Sequence, residues 1–322
     1  MATMTRKKKK KNAGPTRPNR RQKDAAWKLQ PVGRLKILSA PAFARLHWLV
    51  HGFSTRPGGA SKLGSVHGGK AESALNLGFT NWDTRENVIE NRKRFFSAIA
   101  NTGVRVATMR QIHSDIVRQV SSFQLVAAHE PPQGDALFTC ERGICLTVQT
   151  ADCVPILLAD TKHKVIAAIH AGWRGTLQQI AAKTLGRMQM AFGSEPKDVV
   201  AAFGPGIGAC CYEVGHEVAG EFAAQFPKAR AWFEGPFDAI ATDDNDPNWL
   251  PWLTMKPPGH APPSPRVRLD LIAANRSILA SAGLPEENIS ISGFCTSCRT
   301  DLFFSYRRER TTGRMMAAIG II

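Results

Sequence analysis

The chain has 322 residues, of which 43% are hydrophobic, a composition typical of globular proteins and not of disordered ones. No apolar run approaches the ~20 residues that a helix needs to cross a bilayer, and no apolar stretch follows the N-terminal charges as it would in a secretory signal. Residues 1–23 carry ten basic side chains and no acidic one, which leaves only +6 of the net charge of +16 for the other 299 residues. The charge therefore says little about the chemistry of the folded part.

The N-terminal segment, residues 1–34, is predicted to be a disordered basic tail, because its first 23 residues combine dense positive charge with almost nothing apolar. Such a tail gives weak affinity for nucleic acids or other anionic surfaces, and a dedicated nucleic-acid arm is the alternative. Seven cysteines, an odd number, and no secretory signal favour reduced thiols and a cytoplasmic location without membrane contact. No feature of the sequence indicates an oligomeric state.

The alternation of strands and helices over residues 35–322 predicts one α/β domain. A first strand runs from residue 51 into a glycine-rich loop that ends at residue 59. The other predicted strands are 104–109, 134–138, 144–148, 154–158, 165–169, 199–203, 289–291, 303–306 and 316–321. The predicted helices are 84–99, 176–190, 214–226 and 269–282. Residues 227–266 are rich in proline and tryptophan and are predicted to form a long irregular insertion.

Three residues stand in distinctive local contexts: His113 in Gln-Ile-His-Ser-Asp, Cys153 in Thr-Ala-Asp-Cys-Val-Pro, and His170 in His-Ala-Gly-Trp-Arg-Gly. Two imidazoles and a thiolate suit Zn²⁺, and three protein ligands leave a fourth position open, as in catalytic zinc sites. Asp115 or Asp152 would accept a hydrogen bond from an imidazole N–H. The alternative is two ordinary histidines and a buried small cysteine. The spacing alone favours that alternative, whereas the local contexts favour the metal site.

Five segments closely resemble, in the same order, the YfiH family, which is also described as laccase-domain or polyphenol-oxidase-like and includes proteins called peptidoglycan-editing factors. The segments are residues 111–114, 150–155, 170–175, 204–214 and 303–308. The resemblance implies a single α/β domain in which mixed sheets are sandwiched between helices, as α/β/β/α layers. It also implies a zinc ion held by His113, Cys153 and His170. Members of the family are described as purine nucleoside phosphorylases that also act on methylthioadenosine and deaminate adenosine.

Phosphorolysis of adenosine, inosine or methylthioadenosine needs a phosphate site. Arg56, Arg174 and Arg307 are candidates, because a guanidinium group binds phosphate through two hydrogen bonds; a surface ion pair is the alternative for each. Gly204 and Gly206 follow a predicted buried strand, where backbone N–H groups would reach an anion. A simple tight turn is the alternative for this loop.

Two further polar residues are candidates for substrate chemistry. In zinc deaminases, a zinc-bound water with a pKa near ~7 attacks the purine ring. Asp152 would be the general acid and base of such a reaction. The His-x-Glu and Pro-Cys-x-x-Cys signature of those enzymes is absent. Asn76 would hydrogen-bond a ribose or a base edge, or else cap a turn.

Two other functions are weighed against this one. A zinc hydrolase or amidase acting on peptidoglycan precursors would use the same metal, whereas a copper-dependent polyphenol oxidase is disfavoured because the nine histidines include no His-x-His pair. Cys295 and Cys298 form a Cys-x-x-Cys motif without a second such motif, so an incidental pair is favoured over a redox or metal role. Cys210 and Cys211 are interpreted as packing residues.

Overall fold

The computed structural model describes residues 26–63, 72–100, 103–122, 130–236 and 266–322. In this part of the chain, two six-stranded sheets lie face to face and helices cover their outer sides. The layers are therefore α/β/β/α, which confirms the predicted fold class. No helix in these ranges combines the length and the apolar character that crossing a bilayer requires.

The first sheet contains the N-terminal and C-terminal strands of the described chain. Its strands are β1 (Lys28–Val32), β2 (Leu35–Ser39), β3 (Leu49–Ser54), β6 (Arg105–Ala107), β9 (Ile144–Thr150) and β17 (Met315–Ile321). They lie in the order β1-β2-β3-β17-β9-β6. All neighbours are antiparallel except β6 and β9, which are parallel.

The second sheet is built mainly from the middle of the chain. Its strands are β7 (Val117–Gln119), β8 (Ala136–Thr139), β10 (Val154–Asp160), β11 (Ile166–Ala171), β12 (Val199–Phe203) and β16 (Ile289–Ile291). They lie in the order β16-β12-β10-β11-β8-β7. The pairs at both edges, β16 with β12 and β7 with β8, are parallel, and the central pairs are antiparallel.

Two smaller sheets flank the sandwich. One pairs β4 (Pro57–Leu63) with β5 (Glu72–Ala74), and the other has β15 (Val267–Leu269) between β13 (Glu213–Val214) and β14 (Phe233–Glu234). The glycine-rich segment after β3 is therefore a strand and not the predicted loop.

Six helices lie in the described ranges. They are α1 (Arg85–Ile99), α2 (Trp173–Leu177), α3 (Ile180–Phe192), α4 (His216–Gln225), α5 (Leu271–Ser281) and α6 (Tyr306–Glu309). The start of α1 agrees with the prediction, because the Thr84 hydroxyl accepts a hydrogen bond from the Asn87 N–H and caps the helix.

The central strands are apolar without alternation because both of their faces are covered. In β10, Ile156 and Leu158 pack against the helical layer, while Leu157 and Ala159 pack against the first sheet. The outer face of the first sheet packs against α1 through a cluster that includes Phe95. The sequence predicts these buried strands correctly, since a continuous apolar run is what two-sided burial requires.

Three predicted elements differ from the structure. The ordered fold begins before residue 35, because β1 forms a hairpin with β2 around Gly33, whose φ is +59°. All five β1 residues are exposed, so the sequence has no pattern of buried apolar residues that would predict this edge strand. The predicted helix 176–190 is interrupted at Gln179, whose φ is +60°, and becomes α2 and α3. Residues 303–306 form no strand: Phe303 and Phe304 are buried in a turn that leads into α6.

The structure describes only the ends of the predicted N-terminal tail and of the predicted insertion. Residues 1–25 lie outside the described ranges, so the disordered tail and its nucleic-acid affinity stay predictions. Within the predicted insertion 227–266, residues 237–265 also lie outside them. The described ends of this insertion are regular, because β14, before the gap, pairs antiparallel with β15, after the gap.

We predict that Phe95→Ala lowers the free energy of unfolding by about 3–5 kcal/mol, because the side chain is fully buried between α1 and the first sheet. Urea denaturation followed by circular dichroism measures the change. Ile89→Ala on the same helix is the control, since Ile89 is 50% exposed and its loss should cost no more than about 0.5 kcal/mol. Equal losses for the two variants would contradict the packing of α1 described above.

Candidate active site

The three predicted metal ligands lie together, with one donor atom of each of His113, Cys153 and His170 within 4.8 Å of those of the other two. The register of two neighbouring strands brings two of them together. Cys153 immediately precedes β10, and His170 lies near the end of β11, opposite Pro155. His113 comes from the loop between β6 and β7, where its backbone has a φ of +58°. His170 is buried and His113 is exposed, so the group opens towards solvent on one side.

A buried carboxylate that the sequence analysis missed organises this group. Asp135 Oδ1 lies 2.8 Å from His170 Nδ1, which leaves Nε2 of that ring available to a metal. The same carboxylate accepts hydrogen bonds from the backbone N–H groups of Ile112, His113 and Ser114, at 3.2, 3.1 and 2.7 Å. One side chain therefore orients both the buried imidazole and the loop that carries His113.

Neither of the two predicted carboxylates takes this role. Asp115 forms a surface ion pair with Lys183, and Asp152 accepts hydrogen bonds from Thr296 and Arg307. Asp135 lies immediately before β8, a strand next to β11 in the sheet but 35 residues away from His170 in sequence. An acidic residue directly before an apolar strand is the one sequence signal that would have indicated Asp135.

The electrostatics of the group favour a thiolate. Burial raises the pKa of the Cys153 thiol, but the charges and hydrogen bonds of His170 and His113 lower it more, to about 6. Burial also raises the pKa of Asp135, whereas hydrogen bonds from His170 and Ser114 lower it to about 2. Burial lowers the pKa of His170, but the Cys153 thiolate and Asp135 raise it to about 9, so the group pairs a thiolate with an imidazolium, whose proton a bound metal would replace.

The group is tightly packed on one side. Gly172 lies so close that a Cβ atom there would be 3.0 Å from Cys153 Sγ and 3.2 Å from His113 Cδ2. Two imidazole nitrogens and one sulfur form a donor set typical of zinc, copper and similar metals. These three residues could therefore hold a metal with one coordination position facing the cavity.

A cavity of about 990 Å³ contains this group in its wall. Its residues are His113, Cys153, His170, Phe79, Met109, Arg110, Gln111, Gln149, Thr150, Ala151, Asp152, Trp173, Arg174, Tyr212, Tyr306, Arg307, Arg310 and Arg314. Five of them are arginines and only one, Asp152, is acidic. Within the described ranges, none of the five arginines forms an ion pair. The cavity is therefore strongly positive, and four aromatic side chains give it flat apolar surfaces.

Besides His113, Cys153 and His170, three predicted site residues line this cavity. The Arg174 guanidinium lies over the Trp173 ring, 4.3 Å from its centroid. Asp152, with a φ of +98°, accepts hydrogen bonds from the Thr296 hydroxyl at 2.7 Å and from the Arg307 N–H at 2.6 Å. Arg307 also donates through its side chain to the Glu213 carbonyl. Asp152 thus holds the start of α6 against the cavity wall.

Four predicted site residues do not reach the cavity. Arg56 is buried, donates to the Thr300 carbonyl and is paired with Glu309 at 2.5 Å, so its charge is neutralised inside the fold. Asn76 is also buried, and its amide group hydrogen-bonds Thr80, Asp83 and neighbouring backbone. These contacts match the ion pair and the turn cap that were weighed as their alternatives, and they leave neither side chain free for a substrate.

The glycine-rich loop after β12 has a packing role. A Cβ at Gly204 would lie 2.3 Å from ring atoms of Phe53, and one at Gly206 would lie 2.9 Å from Val154. The N–H groups of Gly204 and Ile207 are bonded to backbone carbonyls. The loop therefore supports the segment around Asp152, and an anion at its N–H groups stays a prediction.

The arginines that the sequence analysis missed are Arg110, Arg310 and Arg314. Burial lowers the pKa of Arg314, while the negative charges of Cys153 and Asp152 act in the opposite direction, which places this guanidinium beside the metal group. The basic run after residue 306 is a sequence signal for two of the three. The position of Arg110 follows only from the fold.

We predict that Gly172→Ala weakens metal binding by about tenfold or more, because the new methyl group would push Cys153 and His113 apart. The backbone itself tolerates alanine, since the φ of Gly172 is −82°. Competition with a chromogenic zinc chelator measures the affinity. Gly186→Ala in α3 is the control, because its Cβ would meet nothing within 4 Å. Unchanged zinc affinity in Gly172→Ala would show that the group tolerates a larger neighbour.

Comparisons with known proteins identify the family of this chain. Residues 50–322 match a family model described as multi-copper polyphenol oxidoreductase laccase. The chain is 36% identical to a purine nucleoside phosphorylase of Deinococcus radiodurans, over 89% of this chain and 93% of that protein. It is 35% identical to the purine nucleoside phosphorylase YlmD of Geobacillus stearothermophilus, over 85% and 94% respectively.

Solved structures show the same fold. The crystal structure of YlmD from Geobacillus stearothermophilus superposes with a TM-score of 0.71 at 33% identity, and the match covers 92% of this chain and 98% of that one. Because both the sequence and the fold match over nearly the whole length of these relatives, the chain belongs to the laccase-domain family of the YfiH and YlmD type.

Proposed function

We propose that this protein is a zinc-dependent purine nucleoside phosphorylase that acts on adenosine, inosine and methylthioadenosine. Two relatives named purine nucleoside phosphorylase support the reaction class. The observation that carries the proposal is a cavity in which five arginines, four aromatic rings and a His-Cys-His group face the same space. A nucleoside and a phosphate ion require this combination of flat apolar surface and positive charge.

Zinc is proposed in preference to a multi-copper centre because of the number of histidines. His113, Cys153 and His170 would hold the ion, and Asp135 would keep the His170 ring in place. Bound Zn²⁺ would supply Lewis acidity and one exchangeable coordination position at the cavity wall. Within the described ranges, only two groups could bind a metal, and neither contains more than two histidines. A multi-copper centre needs more imidazoles than this.

The arginines would bind phosphate. Arg174 makes no hydrogen bond to other described side chains, and its guanidinium is held flat by Trp173. Arg307 and Arg314 are partly fixed by backbone carbonyls and extend the positive surface. Guanidinium groups held in this way bind a phosphate dianion with little loss of side-chain entropy.

Phosphorolysis in this cavity would join a phosphate oxygen to C1′ of the ribose as the bond from C1′ to the purine nitrogen breaks. The electron pair of that bond goes to the purine, which takes up a proton, and ribose 1-phosphate is the other product. Tyr212 and Tyr306 offer faces on which a purine can stack. Asp152 keeps a free lone pair on each carboxylate oxygen and would accept a hydrogen bond from the substrate.

We extend the proposal to deamination of adenosine, because the His-Cys-His group opens onto the same cavity. The cysteines of the described chain are free thiols, which fits the reducing cytoplasm that we propose as its location. An amidase acting on peptidoglycan precursors would keep the metal group but would need a substrate other than nucleosides.

The test combines metal analysis with product analysis. We expect zinc in the purified protein, and free purine from each nucleoside only when phosphate is present, with ribose 1-phosphate from adenosine and inosine and methylthioribose 1-phosphate from methylthioadenosine. His113→Ala, Cys153→Ala and His170→Ala should each lose zinc at this group, and turnover should fall by about hundredfold or more, because metal stabilisation of the transition state is worth several kcal/mol. Cys140→Ser, at an exposed cysteine outside the cavity, is the control.

Each other outcome has a defined meaning. Full activity in a Cys153→Ala protein without zinc would refute the metal-dependent mechanism. Zinc without turnover of any nucleoside would refute phosphorylase activity and would favour the amidase. Ammonia from adenosine in the absence of phosphate would support deamination, and its absence would restrict the protein to phosphorolysis.

We predict that Arg174→Ala raises the KM for phosphate by about tenfold to hundredfold, since a hydrogen bond to a charged group is worth about 1.5–3 kcal/mol. Initial rates at varied phosphate and saturating inosine measure the change, and the zinc content should stay constant. Arg94→Ala is the control, because Arg94 pairs with Glu90 on an exposed face of α1. An unchanged phosphate KM with a raised inosine KM would place Arg174 at the nucleoside instead.

A further inference from the structure

A second group of metal-binding side chains lies outside the His-Cys-His group. The four-cysteine cluster consists of Cys210, Cys211, Cys295 and Cys298, whose sulfur atoms all lie within 4.8 Å of one another. Two segments more than 80 residues apart in sequence contribute one pair each. The cluster takes four of the seven cysteines of the chain, and two of the four are exposed. Solvent, and therefore a metal ion, can reach it.

The distances between the sulfur atoms fit a common central ion. Cys298 Sγ lies 3.4 Å from Cys211 Sγ and 3.6 Å from Cys210 Sγ. Four sulfurs at about 2.3 Å from a tetrahedral Zn²⁺ are separated by about 3.8 Å. A disulfide would require about 2.05 Å. The observed separations are therefore close to the edges of a ZnS₄ tetrahedron and too long for a disulfide.

Backbone hydrogen bonds to sulfur are a second, independent indication. The Gly208 N–H donates to Cys295 Sγ at 3.2 Å, and the Cys298 N–H donates to the same sulfur. A sulfur that accepts two N–H groups is stabilised as a thiolate, and ligands of bound metals are commonly held by hydrogen bonds of this kind. The glycine-rich loop after β12 thus contributes to the cysteine cluster.

Both segments of the cluster build the cavity wall. Tyr212, directly after Cys211, lines the cavity. Thr296, between the other two cysteines, donates its N–H to the Gly206 carbonyl and its hydroxyl to Asp152. A link between these segments would therefore hold an aromatic face and the Asp152 carboxylate in position.

We propose that the four-cysteine cluster binds a structural Zn²⁺, which joins residues 206–212 to residues 292–299. Four thiolates close the coordination sphere, so the ion takes no part in chemistry. The two zinc sites have different tasks: one opens onto the cavity, and the other braces the wall of that cavity.

Metal stoichiometry tests the proposal on the full-length protein, purified with a thiol reductant. We expect about two zinc ions per chain in the wild type and about one in His170→Ala, which loses only the ion of the His-Cys-His group. Replacement of zinc by Co²⁺ should give an intense sulfur-to-cobalt absorption typical of four thiolates in both proteins. This result does not depend on nucleoside turnover, so it stands or falls separately from the proposed function.

Cys298→Ser should lower the zinc content to about one ion and abolish the four-thiolate absorption, whereas Cys140→Ser should change neither. If Cys298→Ser fails to fold, the Co²⁺ spectrum of His170→Ala decides alone. A single zinc in the wild type that disappears in His170→Ala would overturn the proposal. A disulfide within the cluster in the reduced preparation, or a cobalt spectrum with one thiolate only, would also overturn it.

Discussion

The buried Asp135 carboxylate is the interaction on which the site depends. A charged group without solvent is unfavourable unless donors surround it, and here the His170 ring and three consecutive backbone N–H groups do so. The same bonds force the loop into the turn in which His113 has a positive φ. One acid therefore positions both the buried His170 and the exposed loop that carries His113, so the shape of the loop and the charge of the His-Cys-His group depend on each other.

The sandwich supplies the rigidity that this arrangement needs. The metal group lies where β9 passes into β10 and where β11 ends, so two of its members are attached to strands that are covered on both faces. A Cβ at Gly204 would collide with Phe53, and one at Gly172 would press closely on Cys153 and His113. The cavity lies at the edge of this packed region, and its loops carry arginines without ion-pair partners among the described residues. The fold thus places the rigidly held His-Cys-His group and positively charged arginines at the same cavity.

The arginines and the polar residues show where reasoning from the sequence succeeds and where it fails. Arg56 and Arg174 are equally plausible phosphate ligands in the sequence, yet the fold pairs one with Glu309 and leaves the other over Trp173 at the cavity. For Asn76 a substrate contact and a turn cap were equally open, and the fold makes it a buried residue that bonds Asp83 and the backbone of Arg314. Local context identifies a side chain that is able to bind a ligand. Whether it does so depends on the partners that the fold brings to it.

The sequence by itself determined the α/β class and most of the buried strands, because two-sided burial requires continuous apolar runs. Its local motifs also singled out the three residues of the His-Cys-His group, and their resemblance to a known family implied the order of the layers. The tertiary structure alone decided that Asp135 orients His170, that Arg110 and Arg314 face the cavity, and that the two cysteine pairs form one cluster. Asp135 and His170 are 35 positions apart in sequence, and Cys210 and Cys298 are 88 positions apart. The tertiary packing brings these residues together, and no local sequence pattern predicts which distant residues will be in contact.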